Sequence, residues 1–143
     1  VACFTTAPQA SERLLLGRPW LQLTVGADQP GFDLCLALAL LPAGGGAVSQ
    51  ISTGFARYLG PGALRLELRQ VELQALAVRL RPGDRLRLSI APAAWPAIAV
   101  NPGDGSPPWG GSGPQHRVVS LELDLQKAIL RIDPLLAGGA GAD

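Results

Sequence analysis

Few residues in this chain are equipped for chemistry. One histidine, His116, stands between Gln115 and Arg117. A Ser-His-acid triad needs such a base within hydrogen-bond reach of a nucleophile and an orienting carboxylate. The nearest match to a nucleophile elbow is Gly110-Gly111-Ser112-Gly113-Pro114, which ends in Pro where Gly-x-Ser-x-Gly ends in Gly. It also lacks the strand before and the helix after that expose such a serine. A Gly/Ser-rich loop accounts for it, and His116 reads as a histidine at the entry to a strand. No catalytic residue is assigned.

Metal and cofactor chemistry fares no better. Cys3 and Cys35 are the only cysteines, too few and too far apart for a thiolate zinc site. They read as free thiols, kept as small buried hydrophobes in a cytoplasmic setting. Asn101 and Asp104, with the carbonyls of Gly103 and Gly105, offer oxygens of the kind calcium takes, but Asn101-Pro102-Gly103-Asp104-Gly105 is more simply a run of tight turns. Neither a metal nor a cofactor is expected.

What remains is apolar and aromatic. Trp20, Trp95 and Trp109 are three of seven aromatic residues. Trp95 and Trp109 fall between Pro92 and Pro114, a long Pro/Gly-rich stretch without strand signals. Phe32 sits among the turn residues of Gly26-Ala27-Asp28-Gln29-Pro30-Gly31. Such aromatics anchor an interface, close the end of a sandwich or stack on a sugar. Phe32, Trp95 and Trp109 are the candidates for an interface or pocket wall, with Phe32 equally able to turn into the core.

The elements that position these residues follow a period of two, with helical periodicity nearly absent. Val1 to Phe4 reads as a strand. Leu21, Leu23 and Val25 alternate with Gln22 and Thr24, ending at Gly26. Leu34 to Leu41 is apolar on both faces, as a central strand is. In Ser49 to Tyr58, Gly54 marks a bulge or a close backbone approach. Leu64 to Leu80 changes apolar phase, which fits a bulge near Arg69-Gln70 or two strands turning a corner; a helix is the rival. After the Pro82-Gly83-Asp84 turn, Leu86, Leu88 and Ile90 alternate with Arg85, Arg87 and Ser89. Arg65, Arg69, Arg85 and Arg87 read as the solvated or partner-facing side of a sheet. Val119 to Leu125 alternates again, and Ala128 to Ile132 is expected to pair back through Gln126-Lys127. About eight strands in 143 residues make one all-β sandwich over residues 1–136, with 137–143 a flexible tail.

Composition sets the outer bounds. Hydrophobic residues are 48% and charged ones 16%, which suits one core and not disorder. Twelve Lys and Arg against eleven Asp and Glu give a net charge of +1 without a basic cluster, so nucleic acid and anionic membrane are not expected partners. No apolar run approaches the ~20 residues of a membrane helix. The chain opens Val1-Ala2-Cys3-Phe4 and contains no Met; with a strand already under way at Val1 and no signal-peptide pattern, excision from a longer protein is the expectation.

The order of segments resembles the C-terminal domain of the X-Pro dipeptidyl-peptidase and cocaine-esterase (CocE/NonD) hydrolases. The resemblance rests on Arg81-Pro82-Gly83-Asp84-Arg85-Leu86-Arg87-Leu88-Ser89-Ile90, then Trp95-Pro96 and Asn101-Pro102. Phe4-Thr5-Thr6-Ala7-Pro8, Gly54-Phe55-Ala56-Arg57-Tyr58 and Val71-Glu72-Leu73 add to it, so that it spans Val1 to Leu125. Asp84 stands where the family often has His. The resemblance implies a jelly-roll sandwich of the galactose-binding-domain-like type, packed on an α/β-hydrolase domain of the same polypeptide. That other domain would carry the triad, while this one helps wall the substrate pocket. A carbohydrate-binding module or an oligomerisation domain, with a homo-oligomer as its product, are the alternatives.

Overall fold

The computed structural model describes residues 1–111 and 113–132. Ser112 and the expected 137–143 tail lie outside the described residues. Nine strands are present among the described residues: β1 Ala2–Thr5, β2 Arg13–Gly17, β3 Trp20–Ala27, β4 Gly31–Leu41, β5 Ser49–Leu59, β6 Glu67–Glu72, β7 Leu76–Leu80, β8 Arg85–Ala91 and β9 Leu121–Arg131. One short 3-10 turn, Pro61–Leu64, follows β5. No helix among the described residues is long and apolar enough to cross a membrane.

All strand pairs are antiparallel. A four-stranded sheet runs β1-β8-β4-β5, a three-stranded sheet β6-β3-β9, and β2 pairs with β7. One cluster of buried side chains joins them. Leu34, Leu36 and Leu38 of β4 and Leu86, Leu88 and Ile90 of β8 come from the first sheet. Leu21, Leu23 and Val25 of β3 and Val71 of β6 come from the second, and Leu15, Leu76 and Leu80 from the pair. The fold is an all-β sandwich of antiparallel sheets. β3 and β8 contribute every second residue to the core, as the pleat requires. β4, paired on both sides, is buried on both faces from Gly31 to Leu36.

Gly54 marks a close approach. It bridges to Leu73 across the sandwich, and a Cβ there would lie 2.6 Å from the Glu72 carbonyl oxygen. Leu64 to Leu80 is two strands turning a corner and not a helix, but the break falls after Glu72. No bulge interrupts Arg69-Gln70; β6 keeps regular register on β3 from Trp20↔Glu72 to Val25↔Glu67. The apolar pattern shifts while the backbone does not. Leu64, Leu66 and Leu68 therefore point outward, 50%, 46% and 56% exposed.

Arg69 corrects a second expectation. It shares the inward phase of Val71, and its side chain is only 9% exposed. Its guanidinium lies 4.2 Å from the Tyr58 ring and 5.4 Å from the Phe32 ring, and donates to the carbonyls of Gly62 and Val25 at 2.7 and 3.2 Å. A planar cation that stacks on rings and satisfies loop carbonyls can occupy a sandwich end where leucine would leave those carbonyls bare.

The hairpin expected at Gln126-Lys127 does not form. β9 continues along the same edge of β3, with Thr24↔Asp124 followed by Gln22↔Ile129. The residues between Asp124 and Ile129 are absorbed opposite Leu23 as an irregular bulge, and Asp124 Oδ1 accepts the Gln126 N–H at 2.9 Å. Without Asn or Gly to supply a tight reversal, widening the strand costs less than folding it back.

Candidate functional site

Three connections meet at one end of the sandwich: β3 to β4, β5 to β6, and the long β8 to β9 crossing. Backbone and side-chain bonds tie them together. Gly60 N–H donates to the Pro30 carbonyl at 2.7 Å and Asp28 N–H to the Ser120 carbonyl at 3.1 Å. Asp28 Oδ1 accepts the Ser120 N–H in return at 2.8 Å, and Arg117 reaches Gln29 at 3.1 Å.

The long crossing is pinned by a charged cluster. Asp33 and Arg57 stand opposite one another in the β4–β5 register. Arg57 grips the carboxylate with both arms, Nε to Oδ1 at 2.8 Å and Nη2 to Oδ2 at 2.7 Å. Its Nη2 also donates to the Ala99 carbonyl at 2.7 Å. Asn101 Nδ2 donates to Asp33 Oδ1 at 2.8 Å, and Asn101 Oδ1 accepts the Gly103 N–H at 3.0 Å. The Asp33 side chain is 1% exposed and that of Arg57 22%. A bidentate pair of this geometry is among the stronger polar contacts available to a protein. The bond to Asp33 raises the Arg57 pKa further and holds it cationic. Burial, then the Asp33 charge, pushes the neighbouring Cys35 thiol up.

Each feature of this cluster has a local reason. Gly103 adopts φ 80°, a left-handed conformation that glycine tolerates. A Cβ on Gly31 would sit 2.8 Å from Asn101 Oδ1, so the loop needs glycine beneath it. Asp104 Oδ1 accepts both the N–H and the hydroxyl of Ser106. Asn101 Oδ1 and Asp104 Oδ1, two of the oxygens weighed for calcium, are thus engaged in turns.

The three aromatic candidates part company. Phe32 opens β4 instead of lying in a loop; it is 1% exposed and packs on Tyr58 at 4.9 Å between ring centroids. It takes the inward place. Trp95 and Trp109 stay 67% and 69% exposed. Trp109 lies over Gly111, where any Cβ would strike the ring. Trp95 borders a hollow of ≈310 Å³ with Val100, Gly110, Gly111 and His116. His116, half-buried, donates its backbone N–H to the Gly113 carbonyl. Val118 is 88% exposed, so the crossing and the neighbouring Leu64 and Leu66 present apolar side chains together at this end.

Beside this end, the outer face of the four-stranded sheet is paved with small side chains. Cys35, Ala37, Ser89 and Ala91 floor a groove of ≈660 Å³, and Ala94 and Ile98 of the crossing form one wall. Arg18 and Glu72, paired at 3.9 Å, stand at its border.

The family model of the X-Pro dipeptidyl-peptidase C-terminal non-catalytic domain matches residues 1–121. No curated protein sequence matches the chain. Among solved structures, an aminopeptidase from the marine sediment archaeon Thaumarchaeota archaeon aligns with a TM-score of 0.76 and 16% identity, over 92% of this chain and 25% of that one. An α-amino acid ester hydrolase aligns with a TM-score of 0.75 and 15% identity, over 92% of this chain and 25% of that one. A CocE/NonD family hydrolase from Staphylococcus aureus gives 0.55 and 17%, over 64% and 22%. At these identities the likeness is one of fold, and the chain spans about a quarter of the length of these proteins.

Proposed function

Because the chain belongs to the family of X-Pro dipeptidyl-peptidase C-terminal non-catalytic domains, we propose that residues 1–136 are the accessory sandwich of a serine hydrolase with X-Pro dipeptidyl-peptidase-like, esterase or acylase activity. In this reading the sandwich is of the jelly-roll, galactose-binding-domain-like type. It docks on the α/β-hydrolase domain of its own polypeptide through the end that carries Trp95 and Trp109, and holds part of the substrate pocket in shape. One observation carries the reading. A loop exposing two tryptophans and Val118 is fixed to the sheet by the Asp33–Arg57–Asn101 cluster. Exposed apolar groups on a rigidly held loop suit a partner surface, since positioning and water exclusion demand a fixed shape. The free thiols Cys3 and Cys35 suit a reducing compartment, which supports a cytoplasmic enzyme.

The test uses the full-length parent. Its gene should encode a Gly-x-Ser-x-Gly elbow ahead of this domain. Trp95→Ala and Trp109→Ala in that enzyme should raise KM for an X-Pro anilide or an ester while residues 1–143 alone turn over neither. Hydrolysis of p-nitrophenyl acetate by residues 1–143, abolished by Ser112→Ala, would overturn the proposal.

A further inference from the structure

The two long sides of the sandwich are finished differently. On one side, β5 and β6 are the outer strands of their sheets, and the Gly54–Leu73 bridge draws that side shut. On the other side the outer strands are β1 and β9, and nothing bridges them among the described residues. Between them run two contiguous hollows of ≈410 and ≈280 Å³ that share Phe4, Leu88 and Leu130. Their floor is the hydrophobic core itself: Leu21, Leu23 and Ile90 at one end, Leu15, Leu38 and Leu80 at the other. Phe4 and Leu125 on the rims are 39% and 48% exposed.

The two rims are not equivalent. β9 is guarded in the manner of edge strands, with Glu122, Asp124 and Lys127 along it and a bulge between Asp124 and Ile129. β1 has no such guard: Ala2-Cys3-Phe4-Thr5 holds no charge, proline or bulge. Thr6 N–H donates to the Leu86 carbonyl at 2.9 Å. By the two-residue period of an antiparallel pair, Ala2 and Phe4 also face β8, and Cys3 and Thr5 turn their N–H and C=O groups to the open side. An unguarded edge beside an apolar slot is the arrangement that accepts an added strand.

We propose that this slot is filled by one extended strand of the parent polypeptide, hydrogen-bonded to Cys3 and Thr5 of β1 and inserting alternate apolar side chains over Leu21, Leu88 and Leu130. The inference rests on the accessory-domain reading. The matching proteins are about four times longer than the part aligned here, and the matching family is one of C-terminal domains. On that reading the parent polypeptide ahead of the domain would lead into β1 through Val1, 87% exposed, which makes it the occupant nearest to hand. The strand need pair with only four residues, roughly 13 Å at ~3.3 Å per residue.

Hydrogen exchange of the full-length protein and of residues 1–143, read by mass spectrometry on peptides covering residues 2–6, tests this. The Cys3 and Thr5 amides should exchange about 10²-fold more slowly in the full-length protein. Thr5→Pro removes only an outward N–H, which an edge strand tolerates, and Thr5→Val retains it. Relative to Thr5→Val, Thr5→Pro should lower the melting temperature of the full-length protein and leave that of residues 1–143 unchanged. Equal exchange of β1 in both proteins would overturn the proposal, as would protection of β1 that rises with the concentration of residues 1–143, the mark of a second copy. Protection of residues 92–118 without protection of β1 would leave the docking reading standing and remove this one.

Discussion

Replacing Arg57 by Leu attacks the cluster that fixes the exposed loop. It leaves the Asp33 carboxyl, its side chain 1% exposed, with Asn101 Nδ2 as its remaining side-chain donor. Removing one partner of a buried ion pair costs about 3–5 kcal/mol. Because the Arg57 side chain is 22% exposed and water can reach the site it vacates, the lower end applies, about 3 kcal/mol. For a domain of this size that corresponds to a fall in melting temperature of about 10 °C. The loop should loosen as well, since Arg57 also holds the Ala99 carbonyl. The assay is thermal unfolding by circular dichroism with iodide quenching of tryptophan fluorescence. Quenching of Trp95 and Trp109 should rise in Arg57→Leu well below its melting point. The double variant Asp33→Ala/Arg57→Leu should be less destabilised than the sum of the two single changes, because it strands no charge. A loss below about 1 kcal/mol for Arg57→Leu, the median of a surface pair, or strict additivity in the double variant, would refute the reasoning.

Three further outcomes follow from the same geometry. Gly54→Ala puts a methyl against the Glu72 carbonyl and should cost about 1–3 kcal/mol by overpacking, read as a lower urea midpoint, whereas Gly44→Ala meets open space and should not. In the native chain one thiol should react readily with Ellman's reagent: Cys3 is exposed, while Cys35 is buried with its pKa raised by that burial and should label only on unfolding. Asp84 accepts the backbone N–H groups of Arg81 and Ala43, which hold its carboxyl below the ordinary range. The stability it lends is therefore complete above its unfolded pKa and lost as pH falls through the depressed folded value; urea midpoints of Asp84→Asn and wild type should differ at neutral pH and converge as the pH is lowered past that value.

Alternation made most of the sandwich legible, and its failures are local. β3 and β8 were readable because Leu21, Leu23 and Val25, and Leu86, Leu88 and Ile90, keep one phase inward. β2 was not, because Leu14-Leu15-Leu16 hides a strand in which Leu15 alone is buried. β6 misled because its leucines face out and Arg69 faces in. The signal available was parity: Arg69 falls in step with Val71 and Leu73, both in the core. For the site, Arg57 and Asn101 stand within motifs that carry the family resemblance, whereas no motif singles out Asp33. Only the β4–β5 register shows that it faces Arg57, and that register, with its shift between Leu38 and Ala39, is set by the connecting turn together with the strands and not by either strand's alternation alone.

The placement of charge then bears on what the domain does. A sandwich could be closed by apolar side chains alone, and replacing a buried pair by such residues is often neutral or stabilising. Here the buried Asp33 joins two strands to Asn101, and so to the loop that carries Trp95 and Trp109. Hydrophobic packing is non-directional and would let that loop slide. A bidentate guanidinium–carboxylate contact and an amide bond fix direction as well as distance. The cluster is therefore better explained by the need to hold a surface loop in one position than by stability, and a loop held in this way is what the docking proposed above requires.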